Sequence, residues 1–411
     1  MALSDELAWR GFVNQTTFAD INDLDKESRT FYLGVDPSAS SMHIGNLAAV
    51  MLVKHLSSAG HVPIVLVGGA TGMIGDPKQD VERDLKSLDE IAHNKAGIAA
   101  QYRTLLDGGE FEVVDNYDWF KSIGYLDFLR DIGKHFSMTQ LLDREFIKAR
   151  IGEGGIGISY AEFSYSLIQG YDFLHLFREK GATVQIGGSD QWGNMISGAQ
   201  MIKKLEGAEA HVLTVPLVLD KKTGKKFGKS EGNAVWLDAA QTSPYKFYQF
   251  WLNCDDETSE DLIKIYTFLD REAVEALIAR HRENPGAREL QRTLAREVTD
   301  IVHGRERRES VERVTNVLFG DGNFLELAQT DLDALAAEVP VVSNDAEMVS
   351  DVLVQSGACI SKGEARRLLM AGGVTITNSE FPEGQKLAND VHLNSVTSLV
   401  KKGKNMFVLV R

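Results

Sequence analysis

His43-Ile44-Gly45-Asn46 and Lys226-Phe227-Gly228-Lys229-Ser230 are the two stretches whose residue types and spacing could do chemistry. The first follows a strand-like run, Phe31 to Asp36, and opens a helical pattern. An imidazole and backbone N–H groups at a helix N-terminus favour anions, because the helix dipole is positive there. The second lies in a lysine-rich loop, Lys221 to Lys229, whose cations could follow charge onto a leaving group. Together they fit attack at the α-phosphate of a nucleoside triphosphate, with pyrophosphate departing. Neither is specific alone. His-x-Gly at a helix start is commonly a cap, and a lysine loop is commonly a solvated turn. Their order is the stronger signal: strand, HIGN, helix, a long α/β stretch, then the lysine loop beyond the last strand-like segment.

A second constellation sits between them. Tyr165, Gln169 and Asp172 recur at i, i+4 and i+7, so they share one helix face. Phe163, Leu167, Ile168 and Phe173 surround them. A phenol, an amide and a carboxylate amid apolar residues suit a polar ligand in an apolar pocket. A solvated stripe would rarely be so aromatic. Gly152, Gly154 and Gly157 satisfy G-x-G-x-x-G, yet the preceding Arg144 to Arg150 reads as helix, so a loop is expected there and no dinucleotide site. Gly68 to Gly75 lacks the Gly-Lys-Ser/Thr ending of a P-loop.

The elements that must position these residues alternate in type. Phe31–Asp36, Val62–Val67, Phe111–Val114, Thr183–Ile186 and Val212–Val215 read as buried strands, and Leu47–Ser58, Leu126–Phe136 and Trp192–Leu205 as helices. That pattern predicts an α/β fold, a Rossmann-like doubly wound parallel sheet. Ligands then sit at the carboxyl ends of the strands, near the switch in strand order. The loops Asp36-Pro37-Ser38, Gly68 to Asp76 and Gly187 to Gln191 carry suitable polar and glycine residues. From Ser243 the strands stop. Pro244–Leu252, Asp261–Leu269, Arg271–Arg282 and Ala287–His303 read as helices, the last with Pro285 before it and Gly304 after it. Residues 320–345 lose periodicity and predict a linker. Beyond it, a short basic helix (Glu364–Ala371) and strands at Val374–Thr377 and Met406–Val410 predict a small α+β domain. The expected divisions are thus 1–220, 221–319, 320–345 and 346–411.

Length and composition are those of a soluble globular chain of two or three domains: 411 residues, 43% hydrophobic and 25% charged. No run approaches the roughly 18 apolar residues of a membrane span. The N-terminus has neither a signal peptide's apolar core nor a transit peptide's Arg-rich character. Cys254 and Cys359 match no zinc spacing, which leaves a reduced cytoplasmic setting without a structural metal as the expectation. The net charge of −15 argues against a polyanionic partner, but it is uneven. Residues 341–411 hold eight basic and seven acidic side chains, so a local RNA-binding patch is compatible with the overall charge.

With these elements placed, the chain resembles the bacterial tyrosyl-tRNA synthetases, a class I aminoacyl-tRNA synthetase family, nearly from end to end. The likeness rests on Tyr32-x-Gly34-x-Asp36-Pro37, on HIGN and on Gly68-Gly-Ala-Thr-Gly-Met-Ile-Gly-Asp76-Pro77. It continues through Glu162-Phe-Ser-Tyr165-x3-Gln169-x2-Asp172, Gln185-Ile-Gly-Gly-Ser-Asp190-Gln191-Trp-Gly-Asn and KFGKS. Ser361-Lys-Gly-Glu-Ala-Arg-Arg-Leu-Leu resembles an S4-type RNA-binding module.

The resemblance implies activation of L-tyrosine with ATP and Mg²⁺, then transfer to the terminal ribose of tRNA(Tyr). It implies that Tyr32 and Asp172 bond the substrate phenol, and that Tyr165, Gln169 and Asp76 hold its ammonium, with Gln191 by its carboxylate. His43 and Ser38 would contact the triphosphate, and Gly45 would let adenine approach. Asp190 and Asn46 would hold ribose, with Gly34, Asp36 and Gly188 also lining the ATP site. Lys226, Lys229 and Ser230, with Arg83, would close over pyrophosphate. Lys362, Arg366, Arg367, Lys401, Lys402 and Lys404 would face RNA. A homodimer is implied, built on a helical segment inserted in the first domain, and so is an anticodon-binding role for the helices of 221–319.

Departures from the family pattern are local. Gly75-Asp76-Pro77-Lys78-Gln79-Asp80 is one residue short before Glu82-Arg83, which leaves open whether Lys78 or Arg83 serves that loop. Leu33 and Ala49 stand where some members place polar side chains near the ribose. Two alternatives stay open. A tryptophanyl or other class I enzyme would share HIGN and KFGKS but lack the Tyr32/Asp172 pair. An RNA-binding derivative without catalysis would have lost His43, Lys226 or Lys229, and all are present.

Overall fold

A computed structural model describes residues 2–77, 85–107, 109–142, 145–219, 221, 224, 227–230 and 233–411. It divides into two compact units, Met1–Thr242 with Leu252–Val298, and Ser243–Trp251 with Thr299–Arg411. Among the described residues no helix is long and apolar enough to cross a membrane.

The first unit is built on six strands: β1 (Gln15–Thr16), β2 (Thr30–Val35), β3 (Val62–Val67), β4 (Glu112–Val114), β5 (Ala182–Gly188) and β6 (His211–Val215). Their order is β1-β6-β5-β2-β3-β4. Strands β2 to β6 are parallel, and only β1 runs antiparallel, on β6. A parallel strand buried on both faces reads as an unbroken apolar run, which is why Val62 to Val67 was legible. Strand order reverses between β2 and β5, and the carboxyl ends there open a crevice.

Residues two apart on a strand share a face. Tyr32, Ile64 and Leu66 pack with Phe173, Met195 and Ile202 of helices Tyr160–Lys180 and Trp192–Glu206. Phe31, Leu33, Val65 and Val67 turn to the opposite face. Helix Ile44–Ser58 buries Ile44, Leu47, Val50, Met51, Leu52 and Val53, a side too apolar to stand in water. Two elements differ from expectation. The run Leu126–Phe136 is helix only over Tyr125–Asp131, then tightens to a 3-10 turn at Gly133–His135. Helix Leu88–Leu105 was not anticipated, because Asn94 and Gly97 interrupt its apolar stripe of Ile91, Ile98, Tyr102 and Leu105.

The glycine-rich stretch after helix Glu145–Ile151 is a loop between two helices, as expected. Arg150 secures it, donating from Nε to Gly157 O at 2.5 Å and pairing with Glu162 at 2.9 Å. A small ribbon, β7 (Lys229–Ser230) against β8 (Asn233–Ala234), carries the end of KFGKS.

The second unit holds a five-stranded sheet in the order β11-β10-β12-β13-β9. Its strands are β9 (Val341–Val342), β10 (Val374–Thr377), β11 (Gln385–Lys386), β12 (Ser398–Lys402) and β13 (Met406–Val410). Alternation serves two cores. Val400, Val408 and Val410 pack with Val349, Leu353 and Leu369. Leu399, Phe407 and Leu409 pack with Val314, Leu318, Phe324 and Leu335.

That second core corrects the linker expected over 320–345. The segment carries a 3-10 turn at Phe324–Glu326, helix Gln329–Ala336 and β9, which pairs in parallel with β13. An eight-residue helix flanked by Gly320, Gly322 and Pro340 is too short for its period to register. The helices of 221–319 are likewise shared: Asp256–Tyr266 and Arg271–Glu283 lie in the first unit, Arg305–Phe319 in the second.

Candidate active site

His43 is the N-cap of helix Ile44–Ser58. Its Nδ1 accepts from Gly45 N at 3.0 Å, and Asn46 Oδ1 accepts from His43 N at 3.1 Å. Side chains thus satisfy backbone donors that a helix end leaves over. Because Nδ1 accepts, the ring carries its proton on Nε2. A Cβ at position 45 would stand 2.9 Å from His43 Cε1, so only glycine lets the ring fold over the first turn.

The lysine loop returns to this spot through backbone hydrogen bonds. Phe227 is buried and its N donates to Val218 O at 2.9 Å. Beyond the ribbon, Val235 N donates to Gly228 O at 3.3 Å, Ile44 N to Val235 O at 3.0 Å, and Leu237 N to Met42 O at 2.8 Å. His43 and Trp236 form a β-bridge. HIGN and KFGKS, remote in sequence, are neighbours.

A cavity of about 700 Å³ opens at the carboxyl ends of β2 and β5. Tyr32, Gly34, Asp36, Ser38, His43, Gly45 and Asn46 line it from β2 and the HIGN turn. Asp76, Tyr165, Gln169, Asp172, Gly188, Asp190 and Gln191 line the remainder. Arg83, Lys78 and Lys226 lie outside the described residues, and of Lys229 and Ser230 only the backbone is described. Lys86, which the sequence did not single out, is a cation in the lining. The six basic residues assigned to RNA are in the other unit.

Helix Tyr160–Lys180 presents its three predicted side chains to this cavity. Asp172 is only 2% exposed and accepts from Trp119 Nε1 at 2.9 Å and Asn116 Nδ2 at 3.1 Å. Burial holds its carboxyl well above the usual carboxylate range, against the pull of those two donors. Burial, then the Asp172 charge, raises the Tyr32 phenol. Tyr32 Oη is fully buried, with no hydrogen-bond partner among the described residues. The same holds for Gln169 Oε1 and Gln185 Oε1.

Acids gather toward the other side. Tyr165 Oη donates to Asp36 Oδ2 at 2.8 Å, which leaves the phenol oxygen able to accept. Burial, then Asp36 and Asp76, raises the Tyr165 phenol. Asp76 accepts from Gln191 Nε2 at 2.8 Å and Asn194 Nδ2 at 3.3 Å. Carboxylates and acceptor oxygens facing one space suit an ammonium group.

Sequence reasoning missed Asn116, Trp119, Gln185 and Asn194. Asn116 is fully buried and does three jobs: it bonds Asp172, donates to Thr71 Oγ1 at 3.2 Å and accepts from Ala70 N at 2.7 Å. It follows β4, so the rule that strand ends carry the site could have flagged it. Gln185 had a plainer signal, an amide inside an otherwise apolar buried strand.

Residues 24–320 match the family described as tRNA synthetases class I (W and Y). The tyrosine–tRNA ligase of Bacteroides thetaiotaomicron is 43% identical over 429 aligned positions, spanning all of both chains. That of Bifidobacterium longum is also 43% identical, covering 98% of this chain and 95% of its own. A C-terminally truncated mitochondrial tyrosyl-tRNA synthetase of Coccidioides posadasii superposes with TM-score 0.66 at 30% identity, over 76% of this chain and 91% of its own. The truncated Aspergillus nidulans mitochondrial protein gives 0.68 at 27% identity, over 77% and 94%. With the HIGN and KFGKS elements side by side over the switch point of a parallel sheet, this chain belongs to the class I tRNA synthetases of the tryptophan and tyrosine group.

Proposed function

We infer that the chain is a tyrosine–tRNA ligase, which makes tyrosyl-adenylate from L-tyrosine and ATP and then charges tRNA(Tyr). One observation carries the choice of tyrosine: the unpartnered Tyr32 hydroxyl and the buried Asp172 carboxylate line one pocket. A substrate phenol there donates to Asp172 and accepts from Tyr32. Phenylalanine would leave the buried Tyr32 hydroxyl unpaired and give Asp172 no donor beyond Trp119 and Asn116, which costs more than the bonds themselves are worth. Asp76, Tyr165 and Gln169 hold the ammonium, and Gln191 steers the carboxylate.

The reaction needs no nucleophilic side chain. The tyrosine carboxylate attacks the α-phosphorus of ATP, which enters as its Mg²⁺ complex, and pyrophosphate leaves. His43 Nε2–H and Ser38 face the triphosphate, while Lys226, Lys229, Ser230 and Arg83 follow its departing charge. Asp190, Gly188 and Asn46 hold ribose, Gly45 admits adenine, and Gly34 and Asp36 complete the wall. Catalysis is positioning plus electrostatic stabilisation.

For the second half-reaction, the S4-like domain that carries Lys362, Arg366, Arg367, Lys401, Lys402 and Lys404 contacts tRNA phosphates. A homodimer forms through the inserted helical segment, where Leu126 is 77%, Tyr125 63% and Tyr160 60% exposed. Exposed apolar side chains gathered in one place, with the Tyr125 and Tyr160 hydroxyls hydrogen-bonded, support burial against a second copy. ATP–pyrophosphate exchange with each of the twenty amino acids tests the function. Exchange driven by tyrosine alone is expected; exchange driven by tryptophan, or by none, overturns it.

A further inference from the structure

Helix Asp256–Tyr266 touches both halves of the nucleotide site. Tyr266 is wholly buried, and its hydroxyl donates to Ile44 O at 3.1 Å. Ile44 O and Gly45 N belong to one peptide plane. Gly45 N donates onward to His43 Nδ1 at 3.0 Å. A donor on the carbonyl polarises the peptide and strengthens the bond its N–H makes. We propose that Tyr266 is a positioning residue that holds the tautomer and ring orientation of His43 through this single peptide.

The helix that carries Tyr266 is fixed at the same end. Arg10 is buried, and its guanidinium donates to the carbonyls of Lys264 at 2.7 Å, Thr267 at 2.8 Å and Leu269 at 2.5 Å. Lys264 O is one of the carbonyls a helix C-terminus leaves without partners, Thr267 and Leu269 lie just beyond the helix, and a cation there also meets the dipole. Near its start, the same helix receives the base of the lysine loop. Lys221 N donates to Thr258 Oγ1 at 3.3 Å, and Lys221 Nζ lies 2.7 Å from Asp261. One helix therefore braces HIGN with its last residue and the lysine loop with its first turns. Burial raises the Tyr266 phenol, so it stays a donor across the working range.

This relay rests on the assignment of His43 to the triphosphate, and the experiment separates the two. Tyrosine-dependent pyrophosphate exchange by the wild-type chain tests the function itself. The relay is tested in full-length protein with Tyr266→Phe, His43→Ala and the double variant. Tyr266→Phe keeps the ring and removes only the donor. It should slow single-turnover adenylate formation about tenfold, as loosened placement of a reacting group does, with the tyrosine Kd unchanged. In the His43→Ala background Tyr266→Phe should add no further loss, because both act through one imidazole. Selective ¹⁵N labelling of histidine supplies a readout independent of turnover. The resonance absent from His43→Ala should shift toward mixed tautomers in Tyr266→Phe. Additive rate losses, an unchanged Tyr266→Phe rate, or an unmoved His43 resonance each overturns the relay.

Discussion

Gly228 of the lysine loop is packed directly on Ile44 of the HIGN turn. A Cβ added to Gly228 would lie 2.3 Å from Ile44 Cγ1, and its φ of +74° disfavours any other residue. Neither motif shows why its glycine or isoleucine is needed. The contact does: it sets how closely the backbone of the lysine loop approaches the helix end at His43.

Gly228→Ala should therefore separate the two motifs while leaving the tyrosine pocket alone. Left-handed backbone costs an alanine roughly 1–2 kcal/mol, and the clash with Ile44 adds displacement of the loop. Single-turnover adenylate formation is expected to fall about tenfold or more with tyrosine affinity retained. Equilibrium dialysis of tyrosine beside the rate measurement checks it; a variant that loses both equally contradicts this division of labour.

Selectivity against phenylalanine should weaken in Tyr32→Phe, Asp172→Ala and Asn116→Ala. Loss of a neutral hydrogen bond costs roughly 0.5–1.5 kcal/mol, and one to a charged group about 1.5–3 kcal/mol. Asn116 touches the cavity only through Asp172 and Thr71, so its effect should be the smallest of the three. Exchange rates with tyrosine and phenylalanine give the ratio directly, and an unchanged ratio in all three removes this end of the pocket from recognition.

His55 should make the first unit acid-sensitive. It lies 5.4 Å from Phe12 and 4.8 Å from Phe268, ring centre to ring centre, and its Nε2 has no partner among the described residues. Burial, then the charge of Arg10, lowers its pKa from 6.5 to about 4. Its folded pKa lies below its unfolded value, so the unfolded chain binds the extra proton. The stabilisation is complete above 6.5 and is lost as pH falls toward about 4. That interval sets a ceiling of roughly 3 kcal/mol. Urea unfolding across this range should show a shallower pH slope in His55→Leu, and an identical slope would place the sensitivity elsewhere.

Among the basic residues of the second unit, the structure separates structural from available cations. Lys402 Nζ donates to Ala358 O, Lys362 pairs with Asp351 at 2.5 Å, and Arg366 lies 3.4 Å from Asp390. Arg367 and Lys404 are exposed, with no ion pair among the described residues. Arg367→Ala and Lys404→Ala should each weaken tRNA binding and reduce the salt slope by about one, with pyrophosphate exchange intact. Lys402→Ala should lower the melting temperature instead. A salt titration of tRNA affinity distinguishes them, and unaltered slopes in the first two exclude phosphate contact.

Ending the chain at Asp345 should separate the half-reactions, though not cleanly. Removal of the sheet uncovers Val314, Leu318, Phe324 and Leu335, which Leu399, Phe407 and Leu409 now cover. The truncated protein is expected to exchange pyrophosphate with tyrosine, to charge tRNA poorly, and to expose apolar surface in a dye-binding assay. Full-rate aminoacylation would exclude the tail from tRNA binding.

The sequence by itself determined whatever depends on local order. Unbroken apolar runs named the parallel strands, and the i, i+4, i+7 spacing of Tyr165, Gln169 and Asp172 placed them on one helix face. HIGN was legible because a helix cap is made by consecutive residues. Only the tertiary structure decided the contacts that span many residues: Gly228 on Ile44, Asn116 on Asp172 and Tyr266 on Ile44. Each joins residues whose own neighbours in sequence carry no mark of the partner. The 320–345 segment failed for the same reason. A two-residue strand and an eight-residue helix have too little length to show a period, and they hold their shape through the sheet and core that bury them.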